Sequence, residues 1–340
     1  MSEGPRPIEE LAGVDAARFA TEVVSSYRPV VMRGLVAGWP AVERARESLE
    51  SLGKFLNGFD NGRPVDAIRT PPSAGGRIFY NDDMSGFNFT REKVSISAAL
   101  DRMAKAARFE KAPALAVQSA LIADCLPGFV AKHPMPLLDA SVAPRIWLGN
   151  GVITPAHFDE SGNIACVVAG TRRFTLFAPE QVRNLYIGPI GNAPTGTPIS
   201  LVEFANPDFA RYPKFREALA AAQVAELAPG DAIYIPPLWW HHVESLDRCN
   251  MLVNYWWKGR PDAPAQAGSA LDVLLHSLIN LRQLSPEQRD AWRTIFDHYV
   301  FSADDATARH IPESKRGVLG PMSPDYVKSV KEFLVTQLKK

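Results

Sequence analysis

The sequence lacks several features that would assign it to a broad class of proteins at once. It has no surplus of charge, since 37 Lys and Arg residues balance 37 Asp and Glu residues. A neutral chain creates no overall field for nucleic acid or for cations, so we expect no nucleic-acid partner. It has no apolar run of about eighteen residues, and no basic stretch followed by an apolar one near Met1. We therefore expect neither a membrane span nor secretion.

Cysteine is also scarce. The three cysteines, Cys125, Cys166 and Cys249, are far apart in the chain, form no CxxC pair and are odd in number. This usage is typical of reduced, buried thiols in a cytoplasmic protein and not of a disulfide framework. Apolar residues, in contrast, are plentiful. They make up 46% of the 340 residues, which is sufficient for one large buried core or two smaller ones.

The N-terminal part of the chain predicts a helix, a strand and a long irregular stretch. Apolar residues recur at helical spacing over 15–24, behind Asp15 as a cap, and this pattern predicts an N-terminal helix. The run over 29–34 is apolar and ends in glycine, which indicates a buried strand. Residues 57–88 are rich in turn formers, so we expect mostly loop around short strands there.

From Arg145 onwards the sequence becomes a series of short apolar segments separated by turn signals: RIWLGN, NIACVVAG, RRFTLFAP, VAELAPGDAIYIPP and NMLVNYWW. Strands at this spacing, without a helix between each pair, indicate a β-sandwich or barrel and not a parallel α/β sheet. The alanine-rich stretch over 209–223 predicts a helical insertion between two of the strands. The fold class is therefore mainly β.

Beyond Gly259 the pattern is helical to the end of the chain. One apolar stripe begins at Leu271, a second follows the cap formed by Ser285, Pro286 and Gln288, and a third begins at Ser323. We divide the chain into a β domain over 1–260 and a helical region over 261–340. The helices could cap a barrel or form a dimer interface. The sequence does not decide between these, and we favour dimerisation because apolar helix faces must be buried somewhere.

The segment GNGVITPAHFDESGN contains His157 and Asp159, two residues apart. On a strand such residues point to the same face, so an imidazole and a carboxylate can converge on one ion. Two histidines and one carboxylate leave three positions open on an octahedral ferrous ion, as oxygenase chemistry requires. The second histidine is expected from PPLWWHHVESL, which offers His241 and His242.

An HxD spacing by itself arises often by chance, and its context is what favours a metal site. The HxD motif follows a glycine turn within β-rich sequence, and a distant histidine that could complete the ligand set follows a second strand. Three readings remain open on the residues alone. The first is an iron oxygenase. The second is a zinc or manganese cupin of another class, for which Glu160 is the only nearby additional ligand. The third is a binding module without turnover.

Four segments carry a resemblance to a known family: TPAHFDE, GTRRFTLF, APGDAIYIPPLWWHHVESL and VNYWWKG. They resemble the cupin-like Jumonji C (JmjC) oxygenases, in particular the asparaginyl hydroxylase that inhibits hypoxia-inducible factor. The match covers residues 145–259, and residues 29–40 resemble the family's N-terminal strand and turn. The resemblance implies a double-stranded β-helix (cupin or jelly-roll) core, Fe(II), and 2-oxoglutarate as cosubstrate consumed with dioxygen.

Residue by residue, the resemblance implies that His157, Asp159 and His241 hold the metal. It leaves His242 on the opposite face of its strand. For the cosubstrate it implies a set of four residues: Thr154, Asn163, Arg172 and Asn254. Arg172 is a departure, because the nearest relatives have lysine at that position. Arginine can pair with a carboxylate through two parallel hydrogen bonds, but its planar head needs a pocket of another shape.

The substrate is the least defined part of the prediction. A tyrosine that binds the cosubstrate in the resembled hydroxylase is replaced by Ala116, whereas Gln118 is retained and is expected to face the substrate. Trp256 is a further candidate for the wall of the site, although adjacent tryptophans on strands are usually core residues. The resemblance favours hydroxylation of a protein or peptide side chain, and the neutral charge equally allows a small molecule.

Overall fold

The computed structural model describes residues 4–258, 269–302 and 305–339. The chain divides into two compact units, Met1–Ala263 and Pro264–Lys340. The division lies close to the boundary that the sequence suggests at residue 260.

The described part of the first unit contains fourteen β-strands: β1 Arg6–Pro7, β2 Glu9–Leu11, β3 Val30–Met32, β4 Val65–Thr70, β5 Thr90–Val94, β6 Ala114–Leu121, β7 Pro144–Gly149, β8 Ile153–His157, β9 Gly162–Ala169, β10 Arg172–Phe177, β11 Gln223–Leu227, β12 Ala232–Ile235, β13 Trp240–Ser245 and β14 Asn250–Trp257. They form a nine-stranded sheet in the order β2-β3-β12-β9-β14-β7-β6-β4-β5 and a five-stranded sheet in the order β1-β11-β10-β13-β8. From β7 to β14 the chain passes repeatedly between the two sheets, as in a jelly roll: β7, β9, β12 and β14 belong to the nine-stranded sheet, and β8, β10, β11 and β13 belong to the five-stranded sheet.

The α-helices of the first unit all lie between these strands in the chain: α1 Ala16–Arg18, α2 Pro40–Glu47, α3 Leu49–Asn57, α4 Ile96–Ala106, α5 Ile122–Cys125, α6 Phe129–Lys132 and α7 Phe215–Ala221. Helix α1 continues as a π-helical segment over Phe19–Val24. The side chain of Asp15 accepts a hydrogen bond from the Arg18 amide, 2.8 Å away, and so caps α1 as the sequence predicts.

Alternation of side chains along the strands produces separate apolar layers on the two faces of each sheet. Val31, Val167, Phe174 and Leu252 belong to the layer between the sheets. Their neighbours in sequence, such as Val30 and Cys166, belong instead to a larger cluster on the other face of the nine-stranded sheet, together with residues of α2, α3 and α4. The five-stranded sheet is covered on its other face by the insertion over 178–222. The barrel interior is thus enclosed on both sides.

The described residues of the second unit form helices joined by turns and contain no β-strand. Its helices are α8 Ala270–Leu281, α9 Pro286–Phe296 and α10 Pro324–Leu338, and Asp297–Phe301 forms a π-helical segment. Ser285 and Gln288 form the capping box that the sequence predicts, and Ser323 caps α10. None of the three α-helices has a buried side chain, and Ile279 is 70% exposed. Their apolar residues therefore remain available for contacts.

The mainly β jelly-roll fold confirms the fold class that the sequence predicts, with a larger share of helix than the patterns revealed. The insertion helix is shorter than predicted and begins at Phe215, because Pro213 removes a backbone donor and restricts the residue before it. Helices α2, α3 and α4 have no counterpart in the sequence-based prediction. They are short, and their apolar residues become interpretable only against the sheet that buries them.

Candidate metal centre in the barrel

His157 and His241 face each other across two paired strands of the five-stranded sheet. His157 is the last residue of β8, His241 is the second residue of β13, and the antiparallel register places them directly opposite one another. Side chains on opposed residues of such a pair are nearest neighbours. The two imidazole rings are 4.2 Å apart between centroids, so both can reach one ion.

Asp159 lies just beyond the end of β8, and not on the strand as the alternation argument assumed. The intervening Phe158 points to the other side, where its ring contacts Trp240 at 4.9 Å. The Asp159 carbonyl accepts a hydrogen bond of 2.8 Å from the amide of Leu238, a residue with a positive φ of 64°. This bond fixes the turn that brings the carboxylate back towards the histidines.

The three side chains form one cluster of possible metal ligands. One ligand atom from each of His157, Asp159 and His241 lies within 4.8 Å of the others. In the described part of the chain no other group of this kind occurs. Glu160, the extra ligand that a zinc or manganese cupin would need, lies 3.7 Å from the ammonium group of Lys258 and is not a member of the cluster. Two imidazoles and one carboxylate are the donor set that suits non-haem iron.

Both histidines are oriented by backbone carbonyl groups. The Nδ1 of His157 is 2.9 Å from the Pro155 carbonyl oxygen, and the Nδ1 of His241 is 3.0 Å from the Trp239 carbonyl oxygen. A carbonyl only accepts, so each Nδ1 carries the proton and each Nε2 keeps its lone pair. The Nε2 of His241 is 3.7 Å from Asp159 Oδ2. The two carbonyls are the outer partners that metal-binding histidines require.

The environment keeps His157 neutral. Burial and, to a smaller extent, the neighbouring His241 together lower the pKa of His157 to about 4, against smaller opposing effects from Asp159 and the backbone. A neutral imidazole is the form that binds a metal ion. The side chains present therefore fit a ferrous ion in their identity, their spacing and their protonation.

Two side chains on the nine-stranded sheet hydrogen-bond to the Asp159 carboxylate. The indole nitrogen of Trp256 donates to Oδ2 at 3.0 Å, and the amide of Asn163 lies 3.5 Å from the same oxygen. Trp256 was expected only as a candidate for the wall of the site. Asn163 in turn contacts Asn254, whose oxygen accepts from the indole of Trp147 at 2.8 Å.

Thr154 lies on the same face of β8 as His157, although the two residues are three apart. On β13 the inward-facing residues His241 and Val243 are two apart, and their partners on β8 are His157 and Thr154. This register shift is a β-bulge, and the additional residue on β8 restores both side chains to one face. Simple alternation would have placed Thr154 on the far side of the strand. The structure therefore brings its hydroxyl to the metal side.

Arg172 lies further along the barrel interior, on the same face of β10 as Phe174 and Leu176 of the apolar layer between the sheets. Its Nε is buried and, within the described ranges, has no hydrogen-bond partner. No carboxylate of the described residues pairs with it either. Burial lowers the pKa of Arg172 to about 10, so the guanidinium is still charged at neutral pH. An unpaired buried cation is costly, and it indicates a place for an anion.

Gln118 occupies an irregular position on β6. The register of β6 against β7 shifts between Val117 and Ala120, and Ser119 has a positive φ of 49°. No hydrogen bond among the described residues joins the Gln118 side chain to the metal-binding cluster. Ala116 is 5% exposed and packs with Ile68 and Ile78.

The sequence-based reasoning overlooked Trp147 and Arg145, which alternate on β7 with Ile146 and Leu148 of the outer core. Trp147 reaches the site through Asn254, and Arg145 donates to the Ser119 carbonyl at 2.8 Å. The signal was present in the sequence, because a tryptophan between two buried aliphatic residues of one strand must face the other side.

His242 faces away from the cluster, as the alternation along β13 predicts. Its ring stacks on Phe204 of the insertion, with centroids 4.2 Å apart, and it is 4% exposed. Its Nδ1 is buried without a partner in the described part of the chain. The first histidine of the pair therefore belongs to the site and the second to the packing beneath the insertion.

The fold and the metal-binding cluster are those of a cupin, and comparison with known proteins agrees. The family described as "Cupin-like domain" matches residues 16–263. This is more than half of the chain, and the protein therefore belongs to that family.

The curated relatives of this chain include a Jumonji C protein by name. Identity is 33% over 149 residues to "HSPB1-associated protein 1" of Homo sapiens, covering 43% of this chain and 30% of that protein. It is 25% over 270 residues to "Jumonji C domain-containing protein 5" of Drosophila melanogaster, covering 74% and 60%. It is 24% over 257 residues to "Lysine-specific demethylase 8" of Danio rerio, covering 71% and 55%. The chain thus spans 30% to 60% of these relatives. They confirm the JmjC resemblance.

No helix of the described residues has the length and apolarity needed to cross a membrane. Cys125, Cys166 and Cys249 are all free thiols; the first two are buried and the third is half-buried.

Proposed function

We propose that the protein is an Fe(II)- and 2-oxoglutarate-dependent dioxygenase that hydroxylates its substrate. The observation that carries this proposal is the convergence of His157, Asp159 and His241, with both Nε2 lone pairs left free by the backbone hydrogen bonds of the Nδ1 atoms. A three-residue set keeps half of an octahedral coordination sphere open for cosubstrate and dioxygen. The iron and 2-oxoglutarate would supply the oxidising chemistry, while the chain binds, orients and excludes water.

Arg172 is the proposed partner of the distal carboxylate of 2-oxoglutarate. Along β10 it lies four residues before Leu176, which pairs with His241, a separation of about 13 Å at the usual rise of a strand. An extended arginine side chain and a five-carbon dicarboxylate can together cover this separation. The carboxylate would neutralise a cation that has no acidic partner in the described residues, and the guanidinium would hold it bidentately. Thr154 offers a hydroxyl on the metal side.

The substrate class that we propose is a protein or peptide side chain, with a small molecule as the alternative. One of the relatives is named as a lysine-specific demethylase and another as a protein associated with HSPB1. These names support a protein substrate without fixing the side chain. Hydroxylation of a methyl group on nitrogen leads to demethylation, and hydroxylation of a carbon in the side chain gives a stable alcohol, so the same site would serve either outcome.

The test is to purify the protein without oxygen, add Fe(II), and follow the conversion of 2-oxoglutarate to succinate in air. We expect slow turnover without substrate, and its loss in His157→Ala and in Asp159→Ala. His242→Phe is the matched control, because it alters the neighbouring histidine outside the cluster and should retain turnover. Absence of turnover in the wild type, together with absence of 2-oxoglutarate binding to the iron-loaded protein, would contradict the proposal.

We also propose that the second unit forms a homodimer and that the protein is cytoplasmic. The exposed apolar side chains of α8, α9 and α10 support dimerisation, since helices that bury none of their apolar side chains gain stability when a second copy covers them. A mass measurement by light scattering on wild type and on Ile279→Asp tests this, and a monomeric wild type would refute it. Three free cysteines support a reducing compartment, which fractionation of expressing cells would test.

A further inference from the structure

One carboxylate oxygen of the metal-binding cluster ends a continuous chain of side-chain hydrogen bonds. The Trp147 indole donates to Asn254 Oδ1 at 2.8 Å, and the Asn254 amide donates to Asn163 Oδ1 at 3.3 Å. The Asn163 amide then lies 3.5 Å from Asp159 Oδ2. Three strands of the nine-stranded sheet, β7, β14 and β9, each contribute to this chain, whereas the acceptor at its end belongs to the turn after β8.

A second donor reaches the same oxygen and closes the chain into a loop. The Trp256 indole donates to Asp159 Oδ2 at 3.0 Å. The ring of Trp256 meets the ring of Trp147 edge to face, with centroids 5.9 Å apart and an interplanar angle of 88°. Such an arrangement is the favourable one for two aromatic rings. Each indole therefore fixes the position of the other, and both are directed by hydrogen bonds.

We propose that this loop of Trp147, Asn254, Asn163 and Trp256 is a positioning device for Asp159, which restricts the carboxylate to a single metal-bound oxygen. The inference rests on the proposed metal site. Two N–H donors directed at Oδ2 compete with a metal ion for the lone pairs of that oxygen. A carboxylate that bound through both oxygens would take one of the three coordination positions that the chemistry needs. The loop keeps that position free.

The loop also fixes the amide orientations of Asn163 and Asn254. Asn254 accepts from Trp147 through its oxygen, so its nitrogen must face Asn163, and the Asn163 oxygen accepts there. The Asn163 nitrogen is consequently turned towards Asp159. Both amides were expected at the cosubstrate, and each keeps one further N–H for that contact. Their first role is to transmit the position of Trp147 to the carboxylate.

The sharpest test uses the end of the loop that does not touch Asp159. Trp147→Phe removes one N–H donor and leaves most of the ring. We expect it to weaken the binding of Co(II), used alone as the probe metal, by roughly tenfold, the lower end of the effect of outer-shell partners. Trp256→Phe removes the direct donor and should weaken binding by roughly 10- to 100-fold. Both variants should also change the visible absorption of bound Co(II), because a carboxylate bound through two oxygens raises its coordination number.

Trp257→Phe is the matched control. Trp257 follows Trp256 on β14 but faces the opposite layer, where it packs with Phe19 and Tyr234. Affinity and spectrum should be unchanged in this variant, and unfolding midpoints without metal identify any variant that loses affinity only by losing its fold. Wild-type affinity and spectrum in both folded variants, Trp147→Phe and Trp256→Phe, would overturn the inference. A wild-type protein that binds no Co(II) or Fe(II) would instead overturn the proposed metal site itself.

Discussion

The two polar regions inside the barrel differ in how completely their side chains are hydrogen-bonded. At the metal end, both imidazoles donate to backbone carbonyls and Asp159 accepts from Trp256, so no polar group needs to move before an ion binds. At the start of β10, Arg172 has a buried Nε without a partner among the described residues. The metal-binding cluster is therefore preorganised for an ion, whereas the hydrogen bonding of Arg172 would be completed only by an anion. In the proposed dioxygenase, the metal end would hold the resident ion and the Arg172 end would hold the cosubstrate that is exchanged at every turnover.

The largest effect should come from replacing the metal-binding residue His241, with the same replacement at His242 as the comparison. His241→Phe removes an Nε2 ligand, and we expect at least a 100-fold loss of Co(II) affinity and no succinate formation. His242→Phe should retain both, because that ring lies on Phe204 and its Nδ1 has no partner to lose. Titration calorimetry with Co(II) measures the difference. Equal losses in the two variants would refute the assignment of the first histidine.

The next largest effect should come from removing the positive charge of Arg172. Arg172→Met keeps the length and apolar part of the side chain, and we expect a roughly 100-fold rise in the KM for 2-oxoglutarate, as for the loss of a buried charge-assisted pair. The variant should bind Co(II) normally and unfold at a higher temperature than wild type without ligand, because an unpaired buried charge is gone. Arg172→Lys keeps the positive charge and should therefore raise the KM for 2-oxoglutarate less than Arg172→Met does. An unchanged KM in Arg172→Met would place the distal carboxylate elsewhere.

A smaller effect should appear in the pH dependence of the unfolding free energy, to which the buried His242 contributes. Burial, with smaller contributions from Arg77, His157 and Arg173, lowers the pKa of His242 to about 3. A histidine with a depressed pKa in the folded state contributes its stability above the unfolded value near 6.5 and loses it as the pH falls below that value. The unfolding free energy of the metal-free protein should therefore fall between pH 6.5 and pH 5. His242→Phe should make this slope shallower by up to about 1.4 kcal/mol per pH unit, as denaturant titrations at several pH values would reveal. An equal dependence of the unfolding free energy on pH in wild type and in His242→Phe would contradict this prediction.

The smallest effect should come from Thr154, which lies between the two ends. Thr154→Val keeps the shape and removes one hydroxyl, so we expect the KM for 2-oxoglutarate to rise about fivefold, within the range for a single neutral hydrogen bond. Thr175→Val on β10 serves as a control for removing a hydroxyl from the same sheet. A rise as large as that of Arg172→Met would mean that the hydroxyl has a greater part than one hydrogen bond.

The local sequence predicts some elements well because their determinants are close together. The capping box of Ser285 and Gln288, the cap at Asp15 and the alternating strands from Arg145 onwards depend on a few neighbouring residues. Helices α2, α3 and α4 were missed because their apolar faces have meaning only against the nine-stranded sheet. The same distinction applies to the site. His157 and His241 could be selected from strand patterns and family resemblance, whereas Trp147 could be connected to Asp159 only through three strands.

By itself the sequence determined the class of fold, the residue types of the candidate metal set and the presence of a cation on the strand after it, since all of these are properties of short segments. The tertiary structure alone decided that Asp159 is held in a turn by Leu238 and Trp256, that a bulge returns Thr154 to the metal face, and that the buried Nε of Arg172 has no hydrogen-bond partner in the described residues. These features depend on register and on contacts between strands far apart in the chain. No local pattern encodes them, because each is created only when the two sheets pair and close on one another.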